Sequence, residues 1–315
     1  MGTELGVKFM ASPDRFADES YLYNNGEIIE VESRNTVEDY ETLVLYAASK
    51  NMDTLYSMSY ELVYDPNGQA VMCPLGYLID GHTGKIITPL EPHWPMSPTE
   101  SNFGFMVRPN AASEDGMIIG GISTWPGCGI NMSPVFWDLE HDTSFSVADE
   151  LDPYGSVYSV SPDGTILGDM IQPMLYFYDR ENLTIRKERI PYEPSMVSGQ
   201  VRAISNTGLC LVLQEDEYQS GTNYIYDINT KQLVRVSEYV EELYGLEAPV
   251  NLSSPTKITA DGSRIYGRTN YQGAAVPWCL VLDDTQILSR PRSFSAMQFP
   301  GQLVVSMTWR APLQD

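Results

Sequence analysis

The chain has 315 residues, with 42 acidic against 19 basic side chains and a formal charge of −23. That balance argues against nucleic acid or an anionic membrane as the main partner, because both require a basic surface. The longest apolar runs fall far short of the ~20 residues needed to span a membrane, so no membrane span is expected.

In chain order, the first element is a hairpin, YLYNNGEIIEV, at residues 21–31, with Asn24-Asn25-Gly26 as its turn. A first complete unit is expected at about 42–90. It opens on AASKNMDTLYS, in which Met52 stands where later copies of the turn have glycine, and ends on the hairpin GYLIDGHTGKII. A second unit, about 106–148, carries AASEDGMIIGG and then PVFWDLEHDTSFSV. The third, about 157–190, is the clearest: SVSPDGTILGD followed by LYFYDRENLTI. A fourth, about 201–237, reads AISNTGLCLVL then YIYDINTKQLVRV; a fifth, about 256–289, reads KITADGSRIYG then WCLVLDDTQIL. The chain closes on SAMQFPGQLVVSM.

Each unit is thus two hairpins, or four short strands. The turn glycines Gly116, Gly164, Gly208 and Gly262 recur at intervals of about 44–54 residues. A repeat of four strands at that period predicts an all-β chain, a β-propeller of four-stranded blades in one domain spanning 1–315. The hairpins at 20–33 and 295–308 look like complementary halves, so six blades are expected, with one shared between the termini to close the ring. Seven is the alternative, if the stretch 35–75 hides an extra half blade. Helix is scarce: Ser237–Tyr244, followed by Gly245, reads as a short helix in a loop.

The SPDG turn of SVSPDGTILG is similar to the repeats of TolB-type WD40-like propellers. The segment from Tyr239 to Leu282, with Gly245, Ile258, Asp261-Gly262, Ile265, Gly267, Gly273 and Ala275 to Trp278, resembles a HAF-type unit. This resemblance to bacterial propellers implies a periplasmic, cell-surface or secreted setting and a binding role, with no ligand fixed. The opening MGTELGVKFMASPD has neither a charged n-region nor an apolar h-region, so no secretory signal or lipoprotein anchor is expected in it.

Chemistry-bearing motifs are sparse. One acidic residue per turn does not make a calcium loop, and His82, His93 and His141 do not form the spacing of a zinc site. No phosphate loop or nucleophile elbow is present, so no metal or cofactor is expected. Cys73, Cys128, Cys210 and Cys279 are widely spaced and expected to be free thiols. Loops on a rigid scaffold are where ligands are met. The long ones cover about 89–110 (with His93, Trp94, Phe103 and Arg108), 124–133, 149–156, 191–202, 214–222 and 268–273. From these, Trp94, Trp125, Tyr154, Tyr218, Arg268 and Tyr271 are the candidate ligand contacts, either stacking on a ligand or packing the loops onto the strands. The function expected is a non-enzymatic binding propeller that recognises a protein or glycan. One alternative is a glycan-active hydrolase or lyase using carboxylates such as Asp152, Asp169 and Glu215. Another is a structural module of a larger surface protein. Oligomeric state is not legible.

Overall fold

The computed structural model describes residues 6–7, 20–24, 27–32, 44–64, 70–94, 106–124, 132–148, 154–239, 254–271, 274–282, 295–299 and 302–306. The strands are β1 (Gly6–Val7), β2 (Ser20–Asn24), β3 (Glu27–Val31), β4 (Val44–Ala48), β5 (Thr54–Tyr64), β6 (Ala70–Asp80) and β7 (Ile86–Pro89). They continue as β8 (Val107–Ala112), β9 (Ile118–Thr124), β10 (Met132–Asp138), β11 (Thr143–Ser146), β12 (Val157–Val160), β13 (Ile166–Asp169), β14 (Met174–Asp179) and β15 (Thr184–Arg189). Then come β16 (Met196–Ile204), β17 (Leu209–Asp216), β18 (Gly221–Asp227), β19 (Gln232–Arg235), β20 (Pro255–Ile258), β21 (Arg264–Tyr271), β22 (Ala274–Val281), β23 (Ser295–Phe299) and β24 (Gln302–Ser306).

These strands make an all-β propeller fold of four-stranded antiparallel blades, and the blades number five rather than six or seven. Blade 1 is β4–β7, blade 2 β8–β11, blade 3 β12–β15, blade 4 β16–β19, and blade 5 shows β20–β22 among the described residues. The expected sixth blade fails because the terminal hairpins do not pair. β2 and β3 form a sheet with β1, whereas β23 and β24 form a separate two-stranded sheet. No extra half blade lies in the described part of 35–75: β5 and β6 pair along their whole length, from Thr54↔Asp80 to Tyr64↔Ala70. The surplus residues lengthen one hairpin. The expected helix starts at residues 236–239, and the rest of it lies outside the described residues.

The chain divides into two compact units, residues 1–169 and 170–315, and blade 3 gives β12 and β13 to the first and β14 and β15 to the second. In the first unit, blades 1 and 2 enclose Tyr56, Leu78, Leu90, Val107, Ile119, Val135 and Trp137. All seven residues of β9 are buried, as a strand covered on both faces must be. Gly120 lets the next blade close in, because a Cβ there would run into the Val157 side chain. In the second unit, Leu211, Ile225, Ile258, Ile265, Trp278 and Leu280 fill the space between blades 4 and 5.

Successive blades are joined at the turn between their first two strands. Its leading residue is Ser49, Ser113, Ser161, Ser205 or Thr259. In each copy this hydroxyl oxygen accepts the N–H of the residue that starts or precedes the second strand, at 2.9–3.1 Å. The next residue bonds to the same position of the following blade. The Lys50 N–H donates to the Glu114 carbonyl (2.9 Å), and the Glu114 N–H to the Pro162 carbonyl (2.7 Å). In the second unit the Asn206 N–H donates to the Ala260 carbonyl (2.8 Å). Pro162 has no N–H, so the series stops there in the first unit. Gly164 has φ +77°, and a Cβ on it would lie 2.7 Å from Ile118 Cγ1 of the preceding blade. Met52 holds the same position in blade 1 at φ 56°. There the neighbours are Val31, Leu55 and Ile79, against which the Met52 side chain packs. Among the described residues strand β3, and not the turn of a full blade, abuts it, so a side chain is tolerated.

A second tie joins blades 3 and 4 within the second unit. Glu188 on β15 accepts hydrogen bonds from the Tyr226 hydroxyl (3.0 Å), Lys231 Nζ (2.6 Å) and Arg186 Nη1 (3.1 Å). Burial pushes its pKa up, but the bonds from Lys231, Tyr226 and Arg186 outweigh it and hold the carboxyl below its ordinary 4.5. A depressed folded pKa gives stability that is complete above the unfolded value and lost as pH falls through the folded one. Urea unfolding at pH 7 and pH 3 is therefore expected to show a smaller acid-induced loss of stability in Glu188→Gln than in the wild type. Gly164→Ala is expected to cost about 2 kcal/mol or more, from positive φ and the clash with Ile118, and a lowered denaturation midpoint measures it.

Candidate functional site

The first strand of every blade carries an irregularity at one place. Pairing shifts register between Leu45 and Ala47, Pro109 and Ala111, Val157 and Ser159, Val201 and Ala203, and Pro255 and Lys257. The skipped residues are Tyr46, Asn110, Tyr158, Arg202 and Thr256, each three residues before the turn hydroxyl. A bulge leaves its extra residue out of the ladder and re-aims its side chain. The backbone device repeats, while the side chains at it are all polar or aromatic and nearly all different. A repeated backbone with varied side chains is how a scaffold presents a binding surface.

In the first unit Tyr46 and Asn110 belong to a connected group centred on Arg108. The Arg108 Nε–H donates to Asn110 Oδ1 (3.0 Å), two residues along β8 on the same face. Asn110 Nδ2 reaches the chain entering β12, donating to Ser156 Oγ (2.5 Å) and the Val157 carbonyl (3.1 Å). On the other side the Arg108 guanidinium lies over the Tyr46 ring of β4, 5.8 Å from its centre. Burial raises the Tyr46 phenol pKa, and the Arg108 charge and hydrogen bond only partly offset it. Arg108 therefore sits on a strand, not in a loop, braced between the first strands of blades 2 and 3 and stacked toward blade 1. Tyr158, on β12, is 40% exposed, and Tyr154, just before Ser156, is 49% exposed.

The sequence-predicted contacts divide. Trp94 packs against the Leu90–Trp137 cluster, with His93 edge-on to it at 4.5 Å. His93 itself is fixed by Ser144 Oγ (2.9 Å), and burial lowers its pKa. Trp94 thus anchors a connection to the core. Tyr154 is exposed, two residues before Ser156 in the chain. Tyr218 projects from the β17–β18 connection and is 81% exposed. Arg268 and Tyr271 belong to β21 rather than a loop: β21 and β22 stay paired out to Tyr271↔Ala274. Arg268 is exposed, and the Tyr271 side chain lies outside the described residues, as do Trp125, Phe103 and Cys128. Likewise Arg202 falls within β16, which starts at Met196.

In the second unit Tyr218 has company. The Gly199 N–H reaches the Ile171 carbonyl (3.4 Å), Met196 pairs with Asp216, and the Tyr218 N–H donates to Asp216 Oδ1 (2.9 Å). These bonds gather Ile171, Val197 and Tyr218 at one rim of blades 3 and 4, with exposures of 46%, 63% and 81%. Glu193, Glu215, Asp216 and Glu217 stand along the same chain segments.

The carboxylates proposed for general acid–base work are otherwise engaged or undescribed. Asp169 is buried at the end of β13 beside Gly155, Glu215 accepts from Ser198 Oγ (3.2 Å), and Asp152 lies outside the described residues. Asp138, Glu140 and His141 place ligand-type atoms within 4.8 Å of one another. Asp138 spends its oxygens on the N–H groups of Glu140 and His141 and on the His141 ring, which is the work of a turn. Cys73, Cys210 and Cys279 are free thiols, and burial pushes the Cys210 and Cys279 pKa values up, which makes them poor nucleophiles.

No family model matches the sequence, and no curated protein matches it. Solved structures do share the fold. A Mycobacterium tuberculosis puromycin-hydrolyzing peptidase aligns with a TM-score of 0.50 at 14% identity, over 90% of this chain and 45% of that one. TolB from Acinetobacter baumannii aligns at 0.48 and 15%, over 84% of this chain and 57% of its own. Porphyromonas gingivalis dipeptidyl peptidase 4 aligns at 0.43 and 12%, over 94% and 48%. The chain spans about half the length of these structures, and at such identities the likeness concerns the fold alone. No sequence-family match supports the HAF-type unit.

Trp94→Ala is expected to lower stability by about 2–4 kcal/mol through lost packing. The check is thermal denaturation alongside a binding assay: the midpoint falls, while affinity at a temperature where the variant is folded stays within about twofold.

Proposed function

We propose that the chain is a non-enzymatic binding propeller, acting in a secreted or envelope setting, that takes a protein partner on a loop-lined rim. The observation that carries this reading is the rim of Ile171, Val197 and Tyr218. Three large apolar side chains are exposed on chain segments that their backbone bonds bring side by side, and clustered exposed apolar surface marks interaction sites. The acidic residues around the rim and the charge of −23 complement a partner segment that is basic as well as apolar. Tyrosine is a frequent anchor of such interfaces, since it supplies a large surface with few rotatable bonds. The setting rests on the resemblance of the SPDG turn at 161–164 to those of envelope propellers. Among the described residues no helix is long and apolar enough to cross a membrane.

The test is binding to an immobilised set of short peptides that vary independently in basic and apolar content. Apolar peptides with basic flanks are expected to bind, and Tyr218→Ala to weaken them about tenfold or more. Binding that ignores peptide charge, or that survives Tyr218→Ala together with Val197→Ser, contradicts the reading.

A further inference from the structure

We propose that the first unit holds a carboxylate-binding site centred on Arg108, and that its ligand is a uronic-acid residue of an acidic glycan. This goes beyond the rim and rests on the same reading of the chain as a binding propeller.

Among the described residues Arg108 is a cation with no anion beside it. Lys50, Arg186, Lys231 and Arg235 each meet a glutamate. Among the described residues none pairs a carboxylate with Arg108, in a chain that has 42 acidic residues. The side chain is nonetheless braced. Asn110 holds Nε, and Asn110 is itself held by Ser156 Oγ and the Val157 carbonyl. A guanidinium has five N–H donors in a fixed plane. With Nε on Asn110 and a further N–H on the Tyr46 hydroxyl, the remaining Nη donors still offer a carboxylate a fork of two parallel bonds. Fixing that fork before binding removes an entropic cost that a free surface arginine would incur.

The surroundings choose the ligand class. Tyr46 and Tyr158 occupy the bulge positions of their strands, and Tyr154 lies two residues before Ser156. Tyr46 is the ring shown against the guanidinium, and Tyr154 and Tyr158 are exposed on the segment that holds Asn110. Such rings near a carboxylate fork suit a sugar, whose C–H faces lie on aromatic planes while its acid group meets the arginine. The net negative charge does not forbid this: at physiological salt the Debye length is about 8 Å, so distant carboxylates are screened while a direct contact is not. Arg108 is the contact residue, and Asn110 is a positioning residue.

The experiment is calorimetric titration of the full chain with a uronic-acid trisaccharide, its carboxyl-reduced neutral counterpart, and a short peptide with a free C-terminal carboxylate. The trisaccharide is expected to bind, with the neutral sugar and the peptide at least tenfold weaker. Arg108→Gln should lose at least tenfold for the trisaccharide and nothing for the neutral sugar. Arg108→Lys, which keeps the charge and loses the fork, should lose several-fold and supplies the reading if the glutamine variant does not fold. Asn110→Ala should weaken the trisaccharide less than Arg108→Gln, and Tyr218→Ala should leave it unchanged. Equal binding of the neutral sugar, unchanged binding by both Arg108 variants, preference for the peptide, or no binding of the trisaccharide overturns the proposal. Loss of peptide binding at the rim leaves these results untouched, so the two readings fail separately.

Discussion

The backbone bond from one blade's turn to the next blade's turn is the contact on which the arrangement within each unit depends. It needs a hydroxyl side chain to cap the turn, a residue at positive φ to reverse the chain, and a free N–H on the second residue. With these met, the Glu114 and Asn206 amides are spent on a neighbouring blade instead of on water. Buried apolar clusters then fill what the bonds have set in place. The exceptions follow the same rule. Pro162 donates nothing, and Met52 takes a glycine's place only where β3 is its neighbour. Thr207 replaces the turn aspartate and still supplies an oxygen, 2.9 Å from Ser205 Oγ.

The same repetition separates architecture from function. Turn hydroxyls, turn glycines and the bulge on each first strand recur because every blade must pack on its neighbours. The side chains at the bulge are not bound by that demand. They differ from blade to blade, and in the first unit Tyr46 and Asn110 join Arg108 in one group. The exposed rim of the second unit is likewise made of residues that no repeat requires.

Much of this fold was legible in the sequence. The turn motif marked the repeat of four-stranded blades, and its copy in blade 1 was recognisable despite Met52. The blade count was not legible. Each terminal hairpin has the pattern of half a blade, but pattern does not say which edge a hairpin pairs with, and these two form separate sheets. The site was less legible still. Trp94 reads as an exposed loop aromatic in the sequence, and its packing against the Leu90–Trp137 cluster is visible only in the structure. Arg108 was noticed as a loop residue. Its partner Tyr46, and Ser156, which holds its partner Asn110, are tens of residues away and are brought to it by topology. One signal was available: the residue three positions before each turn hydroxyl is polar or aromatic in every blade.

Amide hydrogen exchange tests the central claim most directly. The Glu114 and Asn206 amides belong to turns and would exchange quickly if those turns merely linked strands. If they tie blade to blade, both are protected nearly as well as the buried strand amides and open only with the unit that contains them. Exchange at the rate of an unstructured turn would contradict the account.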